Sequence, residues 1–223
     1  AFSERTMVDE RIECAERALT LDRTNIWGYL ALAELRSVEA ERVALLEEAL
    51  RVDAAARRDQ RTRPDYFDDY MGSAVKNAMI KLAVMRRQLG DLPRATEVAR
   101  QLFGMGRRDA AGARYFLLAW YPVMGEWSRV RAVLSRYRHE ESSFIRYTEL
   151  LEAIRLDKGV EDAFAAAIRV NNFVPRCLER QASAPDGECW LEGFSLTRPE
   201  SGAEYYARNF APAWQAVPGA VAT

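Results

Sequence analysis

The sequence predicts an all-α fold: a short right-handed helical solenoid of about four antiparallel helix pairs, closed by a C-terminal capping helix. Three observations lead there. The stretch from Ser73 to Phe103 reads as two short helices around one turn. Ala83 and Val84 lie in the first, Leu89-Gly90-Asp91 at the corner, and Ala95, Val98, Ala99 and Leu102 on the second. Turn glycines recur at Gly90, Gly125 and Gly159, spaced 35 and 34 residues apart. The pairs Ala18-Leu19 and Ala49-Leu50 stand 31 residues apart, near the roughly 34 of one two-helix repeat class.

Each element follows from its own residues. From about Arg5 to Leu21, Met7, Ile12, Ala15, Ala18 and Leu19 keep helical spacing and end on a polar corner running from Thr20 to Asn25. Thr24 or Asn25 caps the next helix, whose apolar face carries Ile26, Trp27, Leu30, Ala31 and Leu35. Val43, Leu46, Ala49 and Leu50 form its return. The period is then lost: Arg57, Arg58, Arg61 and Arg63 precede Pro64, Asp65, Asp68 and Asp69, with Tyr66, Phe67 and Tyr70 between them. Residues 57–71 therefore read as an inserted loop, of a length uncommon between packed helices.

After the central hairpin, a second uses Tyr115, Leu117, Leu118, Trp120 and Tyr121 before Gly125, and Trp127, Val130, Val133, Leu134 and Tyr137 after it. Pro122 should end or kink its first helix. The third runs through Phe144, Tyr147, Leu150, Leu151 and Ile154, turns at Lys158-Gly159, and returns along Val160, Phe164, Ala167 and Ile168 to Asn171-Asn172. The repeats thus occupy residues 1–177. Residues 178–223 are assigned to an irregular connector and a capping helix. That helix should start at Ser201, which has capping-box spacing to Glu204, pass Tyr205, Tyr206, Phe210 and Trp214, and stop before Pro218-Gly219.

Composition narrows the function. With 49% of its residues apolar, the chain can bury a sizeable core. A net charge of −1, with acids and bases interspersed, argues against nucleic acid as a partner. Cys14, Cys177 and Cys189 are odd in number and widely spaced, which points away from a disulfide scaffold and towards a reducing, cytoplasmic setting. The lone His139 and the lack of a close cysteine pair leave no zinc-ligand spacing, and no cofactor is expected. No apolar run approaches the roughly 20 residues of a membrane span, and the N-terminus lacks the apolar stretch of a signal peptide. The sequence opens at Ala1, and further residues upstream are expected.

The run Asn171-Asn172-Phe173-Val174-Pro175-Arg176-Cys177-Leu178-Glu179 is followed by Gly202-Ala203-Glu204-Tyr205-Tyr206-Ala207, Trp214 and Val217-Pro218-Gly219-Ala220. Together these resemble the C-terminal signature of the suppressor of tumorigenicity protein 7 family and of related bacterial tetratricopeptide-like repeat proteins. The central hairpin from Lys81 to Gly90, with Arg94-Ala95, is similar to the same family's repeat, and the likeness spans roughly residues 24 to 220. Phe173 stands where the family usually has His, and Cys177-Leu178-Glu179 where it has a Tyr-Leu-Leu type of run. Animal members carry membrane spans ahead of this region, whereas this sequence shows none. The resemblance implies an α-helical interaction scaffold, with no enzymatic activity to carry over.

Arrays of tetratricopeptide type bind extended peptides in the concave groove lined by the first helix of each pair. If Met79 takes the large-residue position near the start of its helix, Asn77 and Lys81 face that groove. The Asn amide would pair with a ligand's backbone and the ammonium with a carboxylate. Tyr115 takes a groove position in the next pair. The full carboxylate clamp of such arrays is not matched, since Tyr115 and Ile145 or Glu149 stand at its other positions.

The expected function is a non-enzymatic protein–protein interaction scaffold that binds a protein or peptide through a concave face around Asn77, Lys81 and Tyr115. The alternative is a regulatory or substrate-recognition domain of a larger enzyme. Homo-oligomerisation through Trp190, Phe194 and the terminal helix is a further expectation, as is a tail from Ala182 to Pro199 folded back along the groove. Tyr115, Trp120, Tyr121 and Trp127 read as interhelical packing more than as a stacking platform. Glu149 with Glu152 reads as a charged face, His139 as a surface residue at a helix end, and Cys177 as a small core residue.

Overall fold

The computed structural model describes residues 2–58, 70–105, 109, 111–183 and 198–220. Eleven α-helices and no strand are found among them. The chain divides into two compact units, Ala1–Ala113 and Arg114–Thr223.

The first unit holds α1 (Phe2–Leu21), α2 (Ile26–Leu35), α3 (Glu39–Ala56), α4 (Tyr70–Gln88) and α5 (Leu92–Gly104). Each helix packs on the next, and α2 also packs on α4. Local chemistry starts them: the Asn25 side chain accepts from the Gly28 N–H at 3.3 Å, and that of Asp91 from the Arg94 N–H at 3.3 Å. The core is aliphatic and small, with Ala33, Ala49, Ala74 and Ala78 among Ile26, Leu30, Leu46, Val75 and Leu82. Gly28 lets α1 come close, since a Cβ there would stand 2.9 Å from Leu19 Cδ2.

In the second unit, α6 (Ala113–Val123, opening on the last residue of the first unit) is followed by α7 (Trp127–Arg136), α8 (Ser143–Leu156) and α9 (Val160–Val170). Then come α10 (Val174–Ser183) and α11 (Pro199–Gln215). Pairing joins α8 to α9, α10 to α11, and α11 to α8. Their core is aromatic. Phe144 lies 5.7 Å from Phe210, Tyr147 5.6 Å from Tyr206, and Tyr206 stacks on Phe210 at 4.4 Å. Three of its polar tips are paired: the Tyr147 hydroxyl donates to the Asn171 carbonyl at 2.5 Å, and Trp214 Nε1 donates to the Tyr206 hydroxyl at 2.9 Å.

The corners correct one expectation. Gly90 (φ 81°) and Gly125 (φ 72°) take the left-handed conformation that ends a helix. The next residues, Asp91 and Glu126, donate back to the carbonyls of Arg86 at 2.8 Å and Tyr121 at 2.9 Å. At the third corner Asp157 (φ 50°) holds that place, and the Lys158 N–H reaches the Ala153 carbonyl at 3.1 Å. Gly159 (φ 66°) is the N-cap of α9. It is therefore not the counterpart of the other two glycines, and equivalent corner positions stand 35 and 32 residues apart.

Other differences have local causes. Residues 178–183, assigned to the irregular connector, belong to α10, which begins at Val174; Pro175 sits in its first turn, where a missing N–H costs nothing. The boundary expected between Cys177 and Leu178 falls inside this helix. The last helix begins at Pro199 with Arg198 as N-cap and no side-chain cap bond, so Ser201 is already helical and does not cap. The helix also runs through Pro212. Buried Tyr206, Phe210 and Trp214 contribute about 1.5–3 kcal/mol each, which outweighs the roughly 3 kcal/mol an interior proline costs.

At the expected insertion, Arg57 is the C-cap of α3, donating to the wholly buried Asp53 at 2.5 Å, and Tyr70 and Met71 belong to α4. Residues 59–69 lie outside the described residues, as do Cys189, Trp190 and Phe194. Residues 184–197 of the expected back-folded tail fall there, with the oligomer contacts at Trp190 and Phe194, while its ends Ala182 and Pro199 lie in α10 and α11.

Candidate functional site

Asn77 and Lys81 lie one turn apart on α4 in the first unit, both half-buried. Lys81 Nζ is 2.9 Å from Glu34 Oε1 of α2, a pair whose carboxylate is 49% exposed. Beside it, the half-buried side chains of Lys76 and Asn77 make no hydrogen bond or ion pair among the described residues. Further along α4, Arg86 pairs with Glu47 of α3 and, at 3.2 Å, with Asp91 at the start of α5. Along its length α4 therefore carries one satisfied cation at its end, one cation with an open neighbour, and an amide free to donate and accept.

Tyr115 belongs to the second unit and is not free. Its hydroxyl donates to Glu140 Oε1 at 2.7 Å and accepts from Arg114 Nη2 at 2.7 Å. Arg114 Nε donates to Glu140 Oε2 at 2.9 Å, and Ser142 Oγ donates to Glu140 Oε1 at 2.7 Å. The Arg114 guanidinium also lies 4.2 Å from the Tyr115 ring and 4.9 Å from that of Tyr137. Burial, then the bond to Glu140, pushes the Tyr115 hydroxyl up to about 12. Burial also opposes ionisation of Glu140, but bonds from Ser142 and Tyr115 and the charge of Arg114 outweigh it and hold the carboxyl below its ordinary range. The cluster ties the start of α6 to the N-cap of α8.

The remaining candidates have structural partners. Trp120 and Tyr121 are buried, and Trp127 lies under the Arg155 guanidinium at 4.6 Å. Glu149 pairs with Arg146 at 2.9 Å and Glu152 with Arg131 at 3.1 Å. His139 is exposed and accepts from Arg138 Nε at 3.0 Å. Cys177 is buried, with Arg180 Nη2 3.2 Å from its sulfur, at the edge of a cleft of about 610 Å³ between α10 and α11. Among the described residues no group of His, Cys, Asp and Glu could hold a metal ion, and no helix is long and apolar enough to cross a membrane.

Arg114 and Glu140 escape sequence reasoning because no fixed spacing marks a pair 26 residues apart. The same holds for Glu34 beside Lys81. No protein-family model, no curated protein and no solved structure matches the chain.

Proposed function

We propose that this chain is a non-enzymatic interaction scaffold of tetratricopeptide-like, right-handed solenoid type, and that it takes a peptide on the α2–α4 face of its first unit. The observation that carries the reading is the unpartnered, half-buried Asn77 amide, set one turn from Lys81 and next to Lys76. A bound peptide's backbone would use both functions of the amide, and an acidic side chain or terminal carboxylate would compete with Glu34 for Lys81. Direct packing of α2 on α4, across the intervening α3, also supports stacked helix pairs. In this reading Tyr115 contributes shape to its own unit and offers no hydrogen bond, because both of its partners are internal.

Selection of peptides from a displayed random library tests the proposal. Peptides that are acidic, or that end in a free carboxylate, are expected. Lys81→Glu should weaken them at least about tenfold and Asn77→Ala by a smaller factor, with helix content unchanged. Retained affinity in both variants, or no peptide selected, overturns the reading.

A further inference from the structure

α9 differs from α8, the helix it packs on, in leaving its charges unused. Glu161, Asp162 and Arg169 make no ion pair or side-chain hydrogen bond among the described residues, whereas Arg146, Glu149, Glu152 and Arg155 of α8 all lie in ion pairs. At 100° per residue, Glu161, Ala165 and Arg169 fall on one exposed line of α9. Phe164 and Ile168 lie between that line and the buried Ala167, and Phe164 is 49% exposed. The helix dipole accounts for acids at the start of α9 and a base at its end. It does not account for a large aromatic ring left half in water beside them.

We propose that this face is where a second copy of the chain docks, α9 against α9, antiparallel about a two-fold axis through Ala165. The charge order decides both the occupant and the orientation. A two-fold contact must be complementary to itself. Running antiparallel, Glu161 of each copy meets Arg169 of the other, and the two pairs flank a centre where the alanines permit close approach. Phe164 and Ile168 then close against the neighbouring helix and leave water. A parallel arrangement would set acid against acid and base against base. The contact spans one helix of 11 residues, well below the roughly 800 Å² per partner of a standard interface. The dimer is therefore weak, with an expected dissociation constant on the order of 100 μM.

Sedimentation velocity of the full chain, from about 10 μM to about 1 mM, tests this. The parent should show concentration-dependent dimerisation. Glu161→Arg and Arg169→Glu, each placing like charges opposite, should weaken it at least about tenfold. The double variant E161R/R169E restores opposite charges and should dimerise as the parent does, with circular dichroism confirming that all variants keep their helix content. Three results would overturn the proposal. A parent that stays monomeric leaves the face to a different protein. A dimer that neither single swap weakens uses another surface. Failure of the double swap to restore association excludes the antiparallel pairing.

Discussion

In the first unit Ala33, Ala49, Ala74 and Ala78 are buried among Ile26, Leu30, Leu46 and Leu82, while in the second Phe144, Tyr147, Tyr206, Phe210 and Trp214 fill the corresponding interior. Small residues bring backbones together and spread the stabilisation over many modest contacts. Large aromatic side chains concentrate it in a few positions and carry polar tips that must be satisfied. The same class of helix packing is thus held in two ways, and the ways differ in what disturbs them.

Alkali should separate the two units most. Burial raises the hydroxyls of Tyr115, to about 12, and of Tyr147 and Tyr206 above their ordinary range, and all three belong to the second unit. In the unfolded chain these groups lose their protons near pH 10. Above that pH the folded form binds more protons than the unfolded one, so the stabilisation present below about pH 10 is withdrawn as pH climbs towards 12. Hydrogen exchange read peptide by peptide should show the second unit losing protection in this window before the first. Simultaneous loss would break the comparison.

Single truncations come next. Phe210→Ala should cost about 3–5 kcal/mol, because a rigid aromatic cluster cannot close over the gap. Leu46→Ala should fall at the low end of roughly 2–5 kcal/mol, since Met79 and Met85 of the same cluster can shift into the space. Denaturant melts of both variants would measure the difference, and a larger cost at Leu46 would reverse the argument.

The smallest effects sit at the corners. Gly90→Ala should destabilise by about 1–2 kcal/mol, because it puts a Cβ on a left-handed residue. Asp157→Gly should stabilise by about 0.5–1 kcal/mol by removing one. Opposite signs in thermal melts would sharpen the distinction between the glycine corners and the third; equal signs would erase it.

Apolar periodicity and corner residues made α1 to α9 and α11 legible, because those signals are local. α10 was not, since its buried residues, Val174, Cys177 and Leu178, are few and sit among charged residues behind a proline. Gly159 misled because spacing cannot say whether a glycine ends one helix or caps the next. At the candidate site, the residue types at Asn77, Lys81 and Tyr115 were readable, but their partners were not: Glu34, Arg114 and Glu140 are fixed by tertiary contact alone.

Asn171 shows what such a contact means in time. Its Oδ1 accepts from the Phe173 N–H at 3.1 Å, and its Nδ2 donates to the Pro199 carbonyl at 2.8 Å, 28 residues downstream. During synthesis at about 5–20 residues per second, α8 and α9 therefore leave the ribosome at least roughly 2 to 9 s before α11, which ends 45 residues after α9, can dock. For that interval the ring faces of Phe144 and Tyr147 await Tyr206 and Phe210. The unfinished second unit thus leaves aromatic surface in water, where a holding chaperone would have something to protect.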